Sequence, residues 1–197
     1  MKTIVITGKI RESLGKKSTK ALRKEGLVPA VAYGGEKNIH FAATELSFRD
    51  LIYTDELRKA EIKLGDKTLN AIVKDTQFHP VTDRLLHIDF IELVEGKNLK
   101  TNIPVRLTGS PLGVKAGGNL VQAIRKVVVV TSPDSLKAYL EADVSQLELG
   151  KSIRIRDIEV NENTQIMNSP NIPIGFIEIP RTLRSAQAKA ATEAKEG

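Results

Sequence analysis

From His87 to Phe90 polar and apolar side chains alternate one for one, and this short run constrains the fold more than any other stretch of the chain. A period of two puts Ile88 and Phe90 on one face of a strand and His87 and Asp89 on the other, whereas a helix would scatter them around its axis. The chain must therefore build a sheet with one dry face and one wet face. Residues 85–93 form the second arm of a predicted hairpin, residues 73–78 the first, joined through Pro80-Val81-Thr82-Asp83. Phe78 and Phe90 are assigned to its core side.

The same signals recur on both sides of this hairpin. Lys2 to Thr7 is β-branched and loosely alternating, and reads as a strand. Glu61 to Leu64 and Thr68 to Val73 flank Gly65-Asp66-Lys67, which supplies hairpin turn chemistry. Between them, Ser18 or Thr19 is placed to cap a short helix that Gly26 ends in the left-handed conformation. Pro29 to Tyr33 then reads as a strand closing in Gly34-Gly35, and Ala43 to Tyr53 as a helix with Leu46, Leu51 and Ile52 inward. Polarity and lost alternation at Glu95-Gly96-Lys97-Asn98 mark a domain boundary. Beyond it, Thr101 to Leu107, Lys126 to Thr131, Lys137 to Ala142 and Ile174 to Ile179 are strand candidates, and the glycine-rich Gly109 to Asn119 is a surface loop. The expected organisation is mainly β with short helices: a small N-terminal barrel over 1–95, a second β-rich domain over 96–180 and a flexible tail over 181–197.

Charge separates these regions. Residues 1–37 carry nine basic and three acidic side chains, residues 38–95 seven and eleven, and residues 96–197 fourteen and ten. The positive field thus sits on the N-terminal segment and suits a polyanionic partner, with a merely solubilising surface as the bland alternative. At 197 residues the chain can bury a core without staples, and the absence of cysteine excludes thiolate chemistry, iron–sulfur clusters and disulfides. Its longest apolar runs, such as Val127 to Val130, are too short to span a bilayer, and the N-terminus has no continuous signal-peptide h-region, so a soluble protein is expected, and the cysteine-free composition suits a reducing cytoplasm.

Catalytic motifs fail on inspection. Six residues stand between Gly8 and Gly15 where a phosphate-binding P-loop has four between its glycines, and Lys17 stands in the place of its magnesium-binding hydroxyl. His79, His87 and Asp89 match no established metal-ligand spacing. No nucleophile elbow or dinucleotide fingerprint is present. No enzyme, cofactor, metal or small-molecule substrate is expected. The basic segment is the stronger lead: Lys20, Arg23 and Lys24 share a helix face, with Arg11, Lys16 and Lys17 just upstream, a pattern that brackets phosphate oxygens. Tyr33, with Gln77, His79, His87 and Asp89 on two neighbouring strands, adds stacking and hydrogen bonds of the kind that read RNA. Each has a structural alternative, such as mutual satisfaction of Gln77 and Asp89, or a purely structural His79.

The ordered set Arg11, Gly15-Lys16, Leu22-Arg23, Gly26, Pro29-Ala30-Val31, Tyr33-Gly34, Gln77-x-His79-Pro80 and His87-Ile88-Asp89-Phe90 resembles the bacterial large-subunit ribosomal protein twenty-five family. Ile103-Pro104-Val105, Gly109, Gly113, Gly117-Gly118, Asp143-Val144-Ser145 and Gly150-Lys151-Ser152-Ile153 resemble the extra domain of its long form, the general stress protein CTC. The resemblance implies a small N-terminal barrel that binds 5S ribosomal RNA in the large subunit, followed by a β-rich domain that meets neighbouring ribosomal proteins. It places RNA contacts at Arg11, Lys16, Thr19, Lys20, Arg23, Tyr33, Gln77, His87 and Asp89, and implies no catalysis, cofactor or membrane. Lys20 stands where the family pattern has arginine. The alternative is a stress-related protein-interaction module whose basic arm only solubilises it.

Overall fold

The computed structural model describes residues 1–181 apart from Glu36, Asp66, Asn161 and Glu162. Its first nine elements are β1 (Thr3–Thr7), β2 (Lys9–Ile10), α1 (Lys16–Lys24), β3 (Leu27–Tyr33), β4 (Ile39–Thr44), α2 (Glu45–Ile52), β5 (Lys59–Leu64), β6 (Lys67–Phe78) and β7 (Leu85–Glu92). The strands make one seven-stranded sheet in the order β1-β5-β6-β7-β3-β4-β2. β1 pairs in parallel with β5 along one edge, and β2 pairs antiparallel with β4 along the other. Because only Gly8 separates β1 from β2, a single stretch of chain lies along both edges and the sheet curls into a small barrel. Gly8 donates its N–H to the Lys63 carbonyl at 3.0 Å, and a Cβ there would stand 3.0 Å from both Leu64 Cδ2 and Phe41 Cδ2 and 3.2 Å from the Ala42 carbonyl oxygen.

Inward positions alternate along the strands as the period-two pattern requires: Ala60, Ile62 and Leu64 on β5, Ile88 and Phe90 on β7, Val28, Ala30 and Ala32 on β3. Fully buried Phe90 stacks at a tilt on Phe41, 5.7 Å between ring centroids, and on Phe48 of α2, 6.0 Å away. Such pairs add about 0.5–1.5 kcal/mol beyond the area they bury.

Several local expectations are corrected. α2 starts at Glu45, so Phe48 and Leu51 face the core while Leu46 is 77% exposed. Ala43 belongs instead to β4, a strand the turn signals around it did not reveal. Gly15, not Ser18 or Thr19, is the N-cap of α1; the Ser18 hydroxyl donates to the Ser13 carbonyl and Thr19 takes a different partner, while Gly26 at φ 77° ends the turn as expected. Phe78 is 37% exposed against Tyr53, because the β6–β7 register shifts beside it at the barrel's end.

The later elements are β8 (Leu99–Thr108), α3 (Leu112–Lys115), β9 (Asn119–Gln122), β10 (Lys126–Thr131), β11 (Leu140–Asp143), β12 (Ser152–Arg154), β13 (Thr164–Ile166) and β14 (Pro173–Glu178). They form a four-stranded sheet, β11-β8-β10-β13, and a three-stranded sheet, β12-β14-β9. The fold class is therefore mainly β with short helices. The strand expected over 137–142 begins only at Leu140, and the Ala138 carbonyl before it accepts the Leu57 N–H at 2.7 Å instead of joining the β8–β11 ladder. The Gly109 to Asn119 stretch is not wholly loop. It folds into α3, whose buried Gly113 has Ile177 Cδ1 and the Leu149 nitrogen 2.7 Å from where a Cβ would stand. The tail reading falls outside the described residues beyond Arg181.

By its contacts the chain divides into two compact units. The first comprises Met1–Ile103 with Val129–Ala138 and a short piece ending at Gln165; the second holds Pro104–Val128 and the segments from Tyr139 and from Ile166. No helix among the described residues is long and apolar enough to cross a membrane.

The corner at Gly8 has no space for a branched side chain. Gly8→Val is expected to lower stability by about 1–3 kcal/mol, the usual cost of overpacking. Urea denaturation checks this: the midpoint falls while the slope stays that of the parent chain.

Candidate nucleic-acid interface

The outer face of the barrel is built by register. His87 faces Gln77 across the β6–β7 ladder, Asp89 faces Asp75, and on its other side Asp89 faces Val31 of β3, which in turn faces His40 of β4. Tyr33 lies two residues beyond Val31 on the same face, opposite Ile91. Four of the residues singled out from the sequence, Tyr33, Gln77, His87 and Asp89, thus share one wet surface. The His87 Nδ1 and Asp89 Oδ1 are 2.7 Å apart, a short bond that fixes the ring and gives the carboxylate its partner. Gln77 and Asp89 do not satisfy one another; Gln77 is exposed opposite His87.

This arrangement depends on an irregularity in β6. The pairing runs Val73↔Phe90 and then Asp75↔Asp89, stepping over Lys74. Without that bulge Lys74 would face Asp89; with it two carboxylates are neighbours. Burial raises the Tyr33 phenol above its ordinary value, and the charges of Asp89 and then Asp75 add to the effect.

His79 is structural. Its Nδ1 accepts the N–H groups of Val81 and Thr82 at 3.2 and 3.3 Å, and its backbone joins Arg84 and Asp83, so it stitches the turn between β6 and β7. Among the described residues no three His, Asp or Glu side chains are grouped to hold a metal ion.

The basic segment forms the flank of this face. α1 packs against β3, and an open groove of about 670 Å³ is lined by Arg11, Leu14, Gly15, Lys16, Thr19, Lys20, Arg23 and His40. Five of the nine predicted residues meet here, and none of the lining side chains is acidic. Arg11 Nη2 donates to the Thr19 hydroxyl at 3.1 Å, tying the loop before α1 to the helix, and the Arg11 N–H bonds the His40 carbonyl at 2.9 Å. The Arg11 Nε is buried without a protein partner. Arg23 reaches over to β7, its Nε and Nη2 donating to the Leu86 carbonyl at 3.2 and 2.9 Å. Lys16 and Lys20 are exposed, so their charged heads stand in water beside a partly apolar wall.

Such a surface offers delocalised positive charge, directed donors and acceptors, and a half-buried phenol, the mixture used to hold a phosphate backbone and read polar edges. Two groups at it escaped sequence reasoning. His40 lies on a strand whose pattern was not recognised, while Asp75 had a usable signal in its two-residue spacing from Gln77.

Comparison with known proteins gives the family. Residues 6–90 match the model of the Ribosomal L25p family, and residues 98–181 match that of the ribosomal protein TL5 C-terminal domain. Among curated relatives, the large ribosomal subunit protein bL25 of Cytophaga hutchinsonii is 42% identical, covering 97% of this chain and 99% of the relative. The bL25 proteins of Amoebophilus asiaticus and Porphyromonas gingivalis are 38% and 40% identical, over 100% and 96% of this chain and 100% and 99% of their own lengths.

The raised Tyr33 phenol is open to measurement. One of the three tyrosines is expected to ionise above the ordinary value of about 10 in an ultraviolet titration, and Tyr33→Phe should remove that late step. Because the folded state favours the neutral phenol, its contribution is intact below the unfolded value and is lost as pH rises through the raised one.

Proposed function

The chain belongs to the Ribosomal L25p family and is a structural protein of the large ribosomal subunit, and within that family we propose that it binds 5S ribosomal RNA through the first unit. The observation that carries the reading is the meeting of an acid-free cationic groove with a ready polar face on one side of one barrel. Arg11, Lys16 and Lys20 offset phosphate charge, with Thr19 and Arg23 in the same groove. Tyr33, Gln77, His87 and Asp89 supply the hydrogen bonds and stacking that distinguish one RNA fold from another.

Charge alone would hold any RNA. The polar face gives the selectivity, because the His87–Asp89 pair presents a fixed acceptor and a fixed ring in place of flexible chains. We assign RNA recognition to residues 1–95 and contacts with neighbouring ribosomal proteins to residues 96–180. The reading requires no cofactor, metal, membrane or small-molecule substrate, no catalysis, and a location on cytoplasmic ribosomes.

Salt titration tests it. Log affinity for 5S RNA should fall with log salt, and Lys16→Ala or Lys20→Ala should each reduce the slope by roughly 0.7 to 0.9, the effect of one lost phosphate contact. Filter binding reads both the slope and the preference. Equal affinity for 5S RNA and an unrelated RNA would falsify the proposal, while ribosome co-sedimentation that survives Lys16→Glu combined with Lys20→Glu would make the basic arm a solubilising device.

A further inference from the structure

We propose that Arg23 is a positioning residue of this surface: its guanidinium fork caps the carbonyl of a bulge at Leu86 and so fixes α1 across the start of β7. The inference rests on the RNA reading above and assigns Arg23 a task other than phosphate contact.

The bulge is visible in the ladder. Pairing passes from Gln77↔His87 directly to Phe78↔Leu85, so Leu86 has no opposite residue on β6. On the other side, the β3–β7 pairing begins at Ala30↔Ile88, one residue after Pro29, which has no N–H to offer. A bulged residue disrupts its ladder locally, and its backbone groups need partners from elsewhere. Arg23 provides one from α1, 63 residues away in sequence, through two N–H groups on one oxygen.

α1 depends on such a tether. It has nine residues, no buried side chain and no side-chain cap, and isolated helices that short are marginal in water. Its first turn is tied by the Arg11–Thr19 bond and by the Ser18 hydroxyl on the Ser13 carbonyl, and Leu22 is half-buried. The Arg23 fork closes the last turn onto the carbonyl next to His87. It thereby sets how far Lys16 and Lys20 stand from the His87–Asp89 pair. A lysine would keep the charge there but cannot reproduce the planar two-donor geometry.

The test compares full-length wild type, Arg23→Lys and Arg23→Ala, free and with 5S RNA. In the free protein both variants should exchange the amides of α1 about tenfold faster while those of Ile62 and Phe90 keep wild-type protection. With RNA, Arg23→Lys should retain affinity for an unrelated RNA yet lose preference for 5S RNA about as fully as Arg23→Ala. Full rescue by lysine, or unchanged α1 exchange in Arg23→Ala, overturns the tether and makes Arg23 a charge contact. A wild-type chain with no 5S preference overturns the RNA reading itself, and the exchange experiment then still decides the tether.

Discussion

One stretch of chain, Thr3 to Ile10, bonds both free edges of the first unit's sheet, and the candidate surface depends on that double pairing. An open sheet would leave β5 and β4 as exposed edges and give the aromatic cluster around Phe90 no enclosing wall. Closure needs a corner, and the corner is tight, because Leu64, Phe41 and the Ala42 carbonyl crowd the position a Cβ at Gly8 would take. The segment leaving the corner delivers Arg11 to the His40 carbonyl, which places the loop before α1 against the barrel. The groove is thus a direct continuation of the barrel's seam.

Two irregularities then reshape a regular ladder on the proposed recognition face. The step over Lys74 brings Asp75 opposite Asp89, and the step at Leu86 leaves a backbone carbonyl for Arg23. Each bulge disrupts the β6–β7 ladder locally and changes which groups face outward. Regular pairing would have put Lys74 opposite Asp89, a self-neutralising ion pair with less to offer a ligand. Tyr33 registers the result, its phenol held neutral to higher pH by burial and by both carboxylates.

How much of this was legible in the sequence depends on whether the signal was local. The alternation at His87 to Phe90, the β5–β6 turn and the end of α1 at Gly26 come from period and turn chemistry, and they appear where expected. β4 did not announce itself, because Phe41, Ala42 and Ala43 are all buried and lack alternation. On α2, Leu51 and Ile52 turn inward as expected, but Leu46 is exposed and Phe48 fills the core instead. Gathering of the nine candidate residues was legible only through family resemblance, since spacing within one segment cannot tell which strands lie side by side. Leu86 had a faint signal in the doubled Leu85-Leu86, which breaks the period just before the regular run.

Arginine and lysine divide the groove between them. Arg11 and Arg23 spend donors inside the protein, on Thr19 and on Leu86, whereas Lys16 and Lys20 are exposed. A planar guanidinium loses little freedom per hydrogen bond formed and suits a frame, while an ammonium on a flexible stem suits a backbone whose phosphates must be met at varying distance. Phosphate contacts of that kind orient a nucleic acid but carry no information about which one it is. Under the proposed RNA reading, discrimination falls to the side chains whose geometry the sheet fixes, Gln77, His87, Asp89 and Tyr33. On the same reading the arginines serve discrimination indirectly, through bonds that tie the lysine-bearing helix to Thr19 and to the start of β7.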